Sequence, residues 1–265
     1  MASVSVIIPF YKKHLFLKKA VESILSQTYK DFEIIIIHDD PKDQNLEFIS
    51  NIKSMDNRII VLKNKENLGA GFSRNEGIKI AKGNYIAFLD ADDVWYQNKL
   101  SVQIDFMKKN NYEFSHTSYE ILDLNEKIIS KRIAQEKLDY EQLIKSCDIG
   151  LSSVILKKEI LRDHKFPSLK TKEDYVLWLL LAKSGIKIYA ISEILMKWRK
   201  TNNSLSDNTF QKIADGFKVY NSYLNYNLLL SLKCLFILSL NYILKKLNHD
   251  ISCNTFNNPD SYLFK

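Results

Sequence analysis

Short apolar runs alternate with longer amphipathic stretches over the first hundred residues of the chain. Each short run is almost continuous in apolar, mainly β-branched residues, as expected for strands that are covered on both faces of a parallel sheet. The stretches between them repeat apolar residues at helical spacing. The pattern predicts strands at residues 4–8, 33–37, 59–62 and 85–89. It places helices at residues 17–25, 45–53 and 99–108, and around Arg74. This order is typical of parallel strands joined by crossover helices.

The pattern changes after residue 113. Two β-like runs between residues 113 and 130 flank a polar turn and predict an antiparallel pair, so the central sheet of this α/β protein is expected to be mixed. A helix at 175–183 and a strand at 186–191 follow. The last sixty residues are helical in pattern and strongly apolar around 228–244. We therefore predict a main α/β domain at 1–206 and a helical extension at 207–265.

Composition is ordinary for a soluble globular protein, with 46% hydrophobic and 26% charged residues among 265. The formal net charge of +7 favours anionic partners, such as substrate phosphates or an acidic membrane surface. Nucleic acid is not expected, because the basic residues are dispersed without an aromatic-basic cluster. Three cysteines without metal-ligand spacing, and no leader sequence, predict a reduced cytoplasmic protein.

Acidic residues follow two of the predicted parallel strands. Asp39 and Asp40 come after the second strand, and Asp90, Asp92 and Asp93 come after the fourth. Acids in such places often cap helices or form turns. In an open α/β sheet, however, ligands bind outside the carboxyl ends of the strands. Carboxylates beside a diphosphate would repel it by about 4 kcal/mol per contact at 4 Å and an effective dielectric of 20. A divalent cation, Mg²⁺ or Mn²⁺, reverses this repulsion.

Three motifs occur in a characteristic order. They are VSVIIPFYKK, SILSQTYKDFEIIII and NLGAGFSRNEGIKIAKGNYIAFLDADD. Together they resemble the motifs of glycosyltransferase family 2, over about residues 2–206. The resemblance implies the GT-A fold, in which a mixed, Rossmann-like sheet is flanked by helices. It also implies inverting transfer of a sugar from a nucleotide-sugar donor, here a UDP-sugar, to a saccharide acceptor.

By position, the resemblance implies the residues that hold the nucleoside. Asp39 is expected on the base, with the loop of Pro9, Phe10 and Tyr11 around the base and ribose. Arg74 is expected to contact the base or the diphosphate. The alternative for Arg74 is a surface arginine on a helix.

The resemblance also assigns the residues near the diphosphate. Asp90 is expected near the ribose and Asp92 on the metal, with Ala91 between them and Asp93 orienting the loop. The segment MKWRKTNNSLS resembles a lid of the family, which makes Arg199 a candidate phosphate ligand. Two positions of this segment depart from the family pattern.

Trp198 stands where a tyrosine is usual, and Thr201 stands where a histidine is common. A contact made by that histidine is therefore in doubt for this chain.

The motif KEDYVLW resembles the acidic pair that supplies the family's catalytic base. We predict Asp174 as the base and keep Glu173 as the alternative. Such a base typically contributes about 10²- to 10⁴-fold in rate. Acids at a helix N-terminus also stabilise the helix through its dipole, and spacing alone does not separate these roles.

The apolar run at 228–244 is short for a transmembrane helix and is interrupted by Lys233. We predict an amphipathic helix at the inner face of the cell membrane. The alternatives are a spanning helix, and a helix packed on the domain or at a dimer interface. With the family resemblance, the apolar tail indicates a lipid-linked acceptor and a role in O-antigen, capsule or lipooligosaccharide synthesis. The competing functions are an inactive sugar-nucleotide-binding scaffold and a nucleotidyltransferase.

Overall fold

A computed structural model of the chain describes residues 3–201 and 209–256, with side chains described as far as Lys245. Within these residues, ten strands form one mixed sheet. The strands are β1 (Val4–Phe10), β2 (Phe32–His38), β3 (Ile59–Lys63), β4 (Tyr85–Phe88), β5 (Val94–Trp95), β6 (Phe114–Leu122), β7 (Ile128–Arg132), β8 (Lys137–Leu138), β9 (Ile155–Lys157) and β10 (Ile188–Arg199). Their order along the sheet is β3-β2-β1-β4-β9-β6-β10-β5, with β7 on β6 and β8 on β10.

Helices cover both faces of this sheet. The α-helices are α1 (His14–Leu25), α2 (Leu46–Lys53), α3 (Ala70–Ile80), α4 (Lys99–Asn110), α5 (Tyr140–Leu143), α6 (Glu173–Lys183), α7 (Thr209–Lys218) and α8 (Leu228–Phe256). One core lies between the sheet and α1, α2 and α4, and the other lies under α3 and α6. Every residue of β2 is buried, because the strand is covered from both sides.

The structure confirms the predicted α/β class with a mixed sheet. The four predicted strands of the first half pair in parallel as β3-β2-β1-β4, and the predicted antiparallel pair is β6 with β7. Strand β10 is longer than predicted. It continues past Ile191 through register shifts against β6, and these shifts break the alternation of apolar and polar residues on which the prediction depended.

The helical extension packs on the main core. The Tyr220 hydroxyl donates to the backbone oxygen of Ile144 at 2.8 Å and lies 3.3 Å from the Tyr175 hydroxyl. The Asp215 carboxylate accepts hydrogen bonds from the backbone and side chain of Thr171, both at 3.0 Å. The predicted boundary near residue 207 lies outside the described residues, so the division into two domains stays a prediction.

Helix α8 extends well beyond the predicted apolar run. Its stretch Leu228–Lys245 is long and apolar enough, by length and composition, to cross a membrane, with a mean hydropathy of 1.7. One side of the helix packs on the core through Leu238. Another side carries Leu229 and Phe236, which are 79% and 68% exposed. The helix therefore has one face on the protein and one apolar face that no described residue covers.

Candidate active site

The predicted donor residues meet at one edge of the sheet. This edge is formed by the carboxyl ends of the parallel strands β1, β2 and β4 and of β10, which runs parallel to β6. Ligands of open α/β sheets bind at such an edge. The structure brings together at this edge Pro9, Phe10, Tyr11, Asp39, Asp90, Ala91, Asp92 and Arg199.

Asp39 organises the loop that enters α3. Its buried carboxylate accepts hydrogen bonds from the Asn64 side chain at 2.7 Å and from the backbone N–H groups of Leu68 and Gly69 at 2.9 and 2.8 Å. Gly69 has a φ of +80°, which a residue with a side chain adopts only under strain. Asp39 thereby fixes the start of α3 beside the cleft.

Pro9, Phe10 and Tyr11, at the end of β1, differ in exposure. The side chain of Phe10 is fully buried and packs against Phe48, with ring centroids 6.3 Å apart. Its backbone oxygen accepts a hydrogen bond from the Asp39 N–H at 2.8 Å. Tyr11 is 44% exposed, and Pro9 is half-buried. A donor contact at Phe10 would therefore involve the backbone, whereas the side chain of Tyr11 is accessible to a ligand.

Hydrogen bonds to two histidines fix the loop that follows β2. One oxygen of Asp43 lies 2.8 Å from Nε2 of His14 and 3.0 Å from Nε2 of His38. Burial lowers the pKa of His38, and the neighbouring Asp43 opposes that shift. No role was assigned to His14 from the sequence. In the structure, the two histidines tie this loop to α1.

Arg74 is a buried cation and not a surface residue of α3. It is 3% exposed, and its guanidinium donates to Asp90 Oδ1 at 2.7 Å and to Glu173 Oε1 at 2.8 Å. Burial opposes the charge of Arg74, but Asp90 and Glu173 outweigh burial and raise its pKa. Ala91, the next residue after Asp90, is also buried. Arg74 thus joins α3, the end of β4 and the start of α6.

Asp92 is paired with a lysine. The Lys13 ammonium lies 2.8 Å from Asp92 Oδ2 and donates to the Thr201 hydroxyl at 2.9 Å. Among the described residues, no group of three or more His, Cys, Asp or Glu side chains has the geometry to hold a metal ion. Mg²⁺ in nucleotide enzymes commonly uses one or two carboxylates together with substrate phosphates. A single carboxylate that already attracts a cation fits that mode of binding.

Asp93 faces the protein interior. Its carboxylate accepts hydrogen bonds from the Ser152 hydroxyl at 2.5 Å and from the Arg199 N–H at 2.9 Å. Burial raises the pKa of Asp93, and the nearby charges of Asp92 and Asp90 add to the shift. The Arg199 side chain donates to the Asp92 backbone oxygen and to Glu126, both at 3.1 Å. The end of β10 is thereby fixed to the acidic loop.

The acidic pair at the start of α6 is divided between two environments. Glu173 is bound by Arg74, whereas Asp174 forms no ion pair with any residue that the structure describes. Asp174 accepts a hydrogen bond from the Tyr175 N–H at 2.7 Å. Burial raises the pKa of Asp174 to about 7, with the charge of Glu173 adding to the shift and Arg74 opposing it. The geometry therefore favours Asp174 over Glu173 as a proton acceptor.

Helices α3 and α6 approach closely at this point. A Cβ atom on Gly71 would lie 3.1 Å from Cγ of Glu173 and 3.2 Å from the Pro167 backbone oxygen, closer than side chains normally pack. The absence of a side chain at Gly71 lets the acids of α6 lie beside the donor residues. The edge thus combines a carboxylate suited to hold a cation with a separate carboxylate suited to accept a proton.

Comparison with known sequences identifies the class of enzyme. Residues 5–164 match the sequence profile of glycosyl transferase family 2, and the chain belongs to this family. It is 38% identical over 211 residues to the Escherichia coli UDP-Glc:alpha-D-GlcNAc-diphosphoundecaprenol beta-1,3-glucosyltransferase WfgD, covering 79% of this chain and 82% of WfgD. It is 34% identical to the putative teichuronic acid biosynthesis glycosyltransferase TuaG of Bacillus subtilis, covering 82% of this chain and 86% of TuaG. The chain is a glycosyltransferase.

Solved structures show the same fold. A crystal structure of S. aureus TarS in complex with UDP-GlcNAc matches with a TM-score of 0.69 at 20% identity, covering 84% of this chain and 65% of that chain. The mannosyltransferase PcManGT from Pyrobaculum calidifontis, in complex with GDP-Man and Mn²⁺, matches with a TM-score of 0.65 at 13% identity, covering 85% of this chain and 65% of that one. These matches confirm the GT-A fold.

Some residues of the cleft were not predicted as site residues. Lys13 lies in the first family motif, but nothing in that motif indicates that Lys13 pairs with Asp92. Ser152 and Glu126 lie far from the motifs in sequence and reach the cleft only through tertiary folding. Their roles in holding Asp93 and Arg199 were not visible from local patterns.

Proposed function

We propose that this glycosyltransferase transfers a sugar from a UDP-sugar, with inversion, to a saccharide carried on a lipid diphosphate. The observation that carries the proposal is the position of Asp174, a carboxylate without an ion pair in the described structure. It follows Glu173, which shares Arg74 with the donor-side acid Asp90. The names of WfgD and of its E. coli relative WfaP, 39% identical over 213 residues, specify a UDP-Glc donor and a diphosphoundecaprenol-linked acceptor. The same function would serve synthesis of O-antigen, capsule or lipooligosaccharide.

On the donor side, Asp39 would face the base, and Asp90 and Arg74 would lie near the ribose and diphosphate. Asp92 would hold Mn²⁺ or Mg²⁺ together with the diphosphate of the donor. When bound, such an ion would neutralise the charge that develops on the nucleotide leaving group. The cation of Lys13 beside Asp92 supports this assignment, because it shows that the position favours positive charge.

On the acceptor side, Asp174 would take the proton from the acceptor hydroxyl as that oxygen attacks the anomeric carbon. Direct attack from the side opposite the nucleotide inverts the anomeric centre. A base works best when its pKa lies near the working pH. A pKa of about 7 for Asp174, raised by burial, meets that condition.

The exposed face of α8 supports a peripheral site of action at the inner face of the membrane. Leu229 and Phe236 are largely exposed there, while Asn241 donates to the Lys145 backbone oxygen at 2.9 Å on the opposite side. These docking contacts favour a helix that lies on the membrane surface over one that crosses it. The double variant Leu229→Ser/Phe236→Ser is expected to lose most sedimentation with anionic vesicles. Unchanged sedimentation would contradict the membrane contact.

The donor and metal are tested by a panel of nucleotide sugars, with release of the nucleotide as the signal. We expect the wild type to hydrolyse one UDP-sugar slowly with Mn²⁺. No hydrolysis of that sugar is expected with EDTA or from the variant Asp92→Ala. Once an acceptor is found, the anomeric configuration of the product, measured by NMR, tests inversion. Binding of a nucleotide sugar without turnover, with lipid-diphosphate acceptors supplied, would instead favour the inactive scaffold.

A further inference from the structure

A second cavity lies against strand β6. It has a volume of about 320 Å³ and is formed by β6, the end of β7 with the residues that follow it, Asp148, and the last described side chain of α8. Tyr119, Lys131, Arg132, Asp148 and Lys245 contribute its ionisable groups. None of these residues belongs to the donor side of the cleft. The cavity therefore needs an explanation of its own.

The cavity carries an excess of positive charge. Lys131 lies 3.4 Å from a carboxylate oxygen of Glu120, and Lys245 donates to Asp148 Oδ1 at 2.6 Å. Arg132, in contrast, forms no ion pair with any of the described side chains. The ion pairs among those side chains are made by lysines, histidines and other arginines. A guanidinium without a carboxylate partner can donate two parallel hydrogen bonds to a phosphate group.

The cavity is close to both halves of the cleft. Tyr119 lines it, and burial raises the pKa of Tyr119 to about 12, with Arg132 opposing the shift and Asp148 and Asp93 adding to it. Asp148 belongs to the segment after α5, and at Leu143 in α5 the backbone oxygen accepts a hydrogen bond at 2.8 Å from the hydroxyl of Tyr175, the residue after Asp174. A Cβ atom on Gly150 would lie 2.9 Å from the Tyr119 ring, and the nearby Ser152 donates to Asp93. The segments that line the cavity thus reach the acidic loop and the helix that carries the candidate base.

An apolar surface leads away from the cavity. Lys245 is on α8, and its neighbours Tyr242 and Ile243 are 59% and 52% exposed. A ligand with an anionic head in the cavity would find apolar side chains next to it. This combination of a basic cavity and an adjoining apolar helix fits a lipid phosphate better than a free phosphate.

We infer that this cavity binds the diphosphate of the lipid-linked acceptor, with Arg132 as the main contact and Lys131 and Lys245 as supporting charges. The inference rests on the proposed function, because the acceptor is taken to be a saccharide on a lipid diphosphate. The diphosphate in the cavity would place the attached sugar towards Asp174. Specificity for lipid-linked over free saccharides would then come from Arg132.

The first test measures binding and needs no turnover. Geranyl diphosphate is titrated into the full chain, the variant Arg132→Gln and the matched control Arg162→Gln, whose residue lies in a different, also basic cavity near Ser3 and Tyr85. Arg132→Gln is expected to weaken binding by about 10- to 100-fold, as a lost hydrogen bond to a charged group does. The control is expected to match the wild type. Equal affinity of Arg132→Gln and wild type would overturn the inference.

The donor site also attracts diphosphates, so Asp92→Ala serves as a second control. It is expected to bind geranyl diphosphate as the wild type does. If binding depends on Asp92 and not on Arg132, the probe occupies the donor site and the cavity is not the acceptor site. Soluble short-chain phosphatidylglycerol distinguishes another source of phosphate, since binding as tight as that of geranyl diphosphate would make the cavity a general lipid-headgroup site and overturn the acceptor assignment.

The second test separates this inference from the proposed function. Two acceptors with the same sugar are compared, one on a lipid diphosphate and one on a simple alkyl group. Arg132→Gln is expected to raise KM for the diphosphate acceptor by about 10- to 100-fold, with kcat, the KM for the alkyl acceptor and donor hydrolysis unchanged. Equal losses on both acceptors would overturn the inference while leaving sugar transfer established. Lack of any transfer or donor hydrolysis by the wild type would overturn the proposed function, and the binding test would still decide the role of the cavity.

Discussion

The carboxylates on the two sides of the cleft differ in their hydrogen-bond and ion-pair partners. On the donor side, Asp39 accepts hydrogen bonds from Asn64 and two backbone N–H groups, Asp90 is paired with Arg74, and Asp92 is paired with Lys13. On the acceptor side, Asp174 accepts one hydrogen bond from its own helix and has no ion pair among the described residues. Burial raises the pKa of Asp174 to about 7.

This difference separates two chemical tasks within one cleft. A donor with a negatively charged diphosphate needs carboxylates whose charge is balanced, because unbalanced ones would repel it. A base needs a carboxylate that is free to accept a proton near neutral pH. Arg74 makes the separation possible, since it balances Asp90 and Glu173 while leaving Asp174 unpaired. Each prediction below tests either the proton-accepting carboxylate or the charge balance of the other acids.

The largest effect is expected from Asp174→Asn. The change keeps the shape of the side chain but removes its ability to accept the proton, so kcat should fall by about 10²- to 10⁴-fold. The KM for the UDP-sugar should stay close to that of the wild type, because Asp174 lies on the acceptor side. Steady-state kinetics measure both. The matched variant is Glu173→Gln, and a larger loss of kcat from Glu173→Gln than from Asp174→Asn, with both variants folded, would identify Glu173 as the base instead.

A smaller effect, mainly on stability, is expected from Arg74→Met. It leaves Asp90 and Glu173 close to each other without their shared cation, and breaking a buried pair in this way typically costs about 3–5 kcal/mol. Urea unfolding measures the change in free energy. Arg58→Met is the control, since Arg58 pairs with Asp56 at 2.8 Å in a part-exposed position, and exposed pairs contribute about 0–1 kcal/mol. Similar losses for the two variants would show that Arg74 has no special role in balancing the cleft.

The two sides of the cleft also differ in how much of each could be predicted from the sequence. The donor side was predictable because its acids follow apolar strands, such as β4 before Asp90, and the carboxyl ends of parallel strands meet at one edge. Glu173 and Asp174 were also found from a motif, but their different environments depend on Arg74, which is 99 residues away from Glu173 in the chain. The cavity around Arg132 was not predicted, because β7 and α8 carry no motif and approach each other only in the folded chain.

The fold shows a similar division. Strands β1, β2 and β4 are buried along nearly their whole length, so their continuous apolar runs are easily recognised. Strand β10 carries exposed and half-buried positions after Ile191 and shifts register against β6, which removes any simple period. The short strands β5 and β8 have two residues each, too few for a periodic pattern to appear. Local periodicity therefore predicted the buried half of the sheet and not the irregular half.

The pH dependence of the reaction tests the acceptor side without a mutation. A base must be deprotonated to act, and burial raises the pKa of Asp174 to about 7. The rate constant kcat/KM should therefore be half-maximal near pH 7, level off above about pH 8, and approach a tenfold fall per pH unit below pH 7. At pH 6 the loss is expected to be about tenfold. A profile that stays flat down to pH 5, measured with a donor whose own ionisation does not change in this range, would contradict a raised pKa at the base.

The smallest effect is expected from Lys13→Met, which tests whether Lys13 occupies the position of the metal. Lys13 and Asp92 have side chains that are 31% and 17% exposed, and a pair of this kind contributes about 0–1 kcal/mol to stability, so unfolding should change little. A metal ion must displace the ammonium to reach Asp92, and removing Lys13 should therefore tighten Mn²⁺ binding without nucleotide by up to about fivefold. Electron paramagnetic resonance of free Mn²⁺ measures this affinity, and Lys12→Met, which changes the neighbouring lysine over Tyr11, is the control. Weaker Mn²⁺ binding by Lys13→Met than by the control would mean that Lys13 supports the metal site and does not compete with the ion. In that case the charge balance at Asp92 would be built around the lysine itself, and the donor side would hold its diphosphate by an ammonium group as well as by a metal.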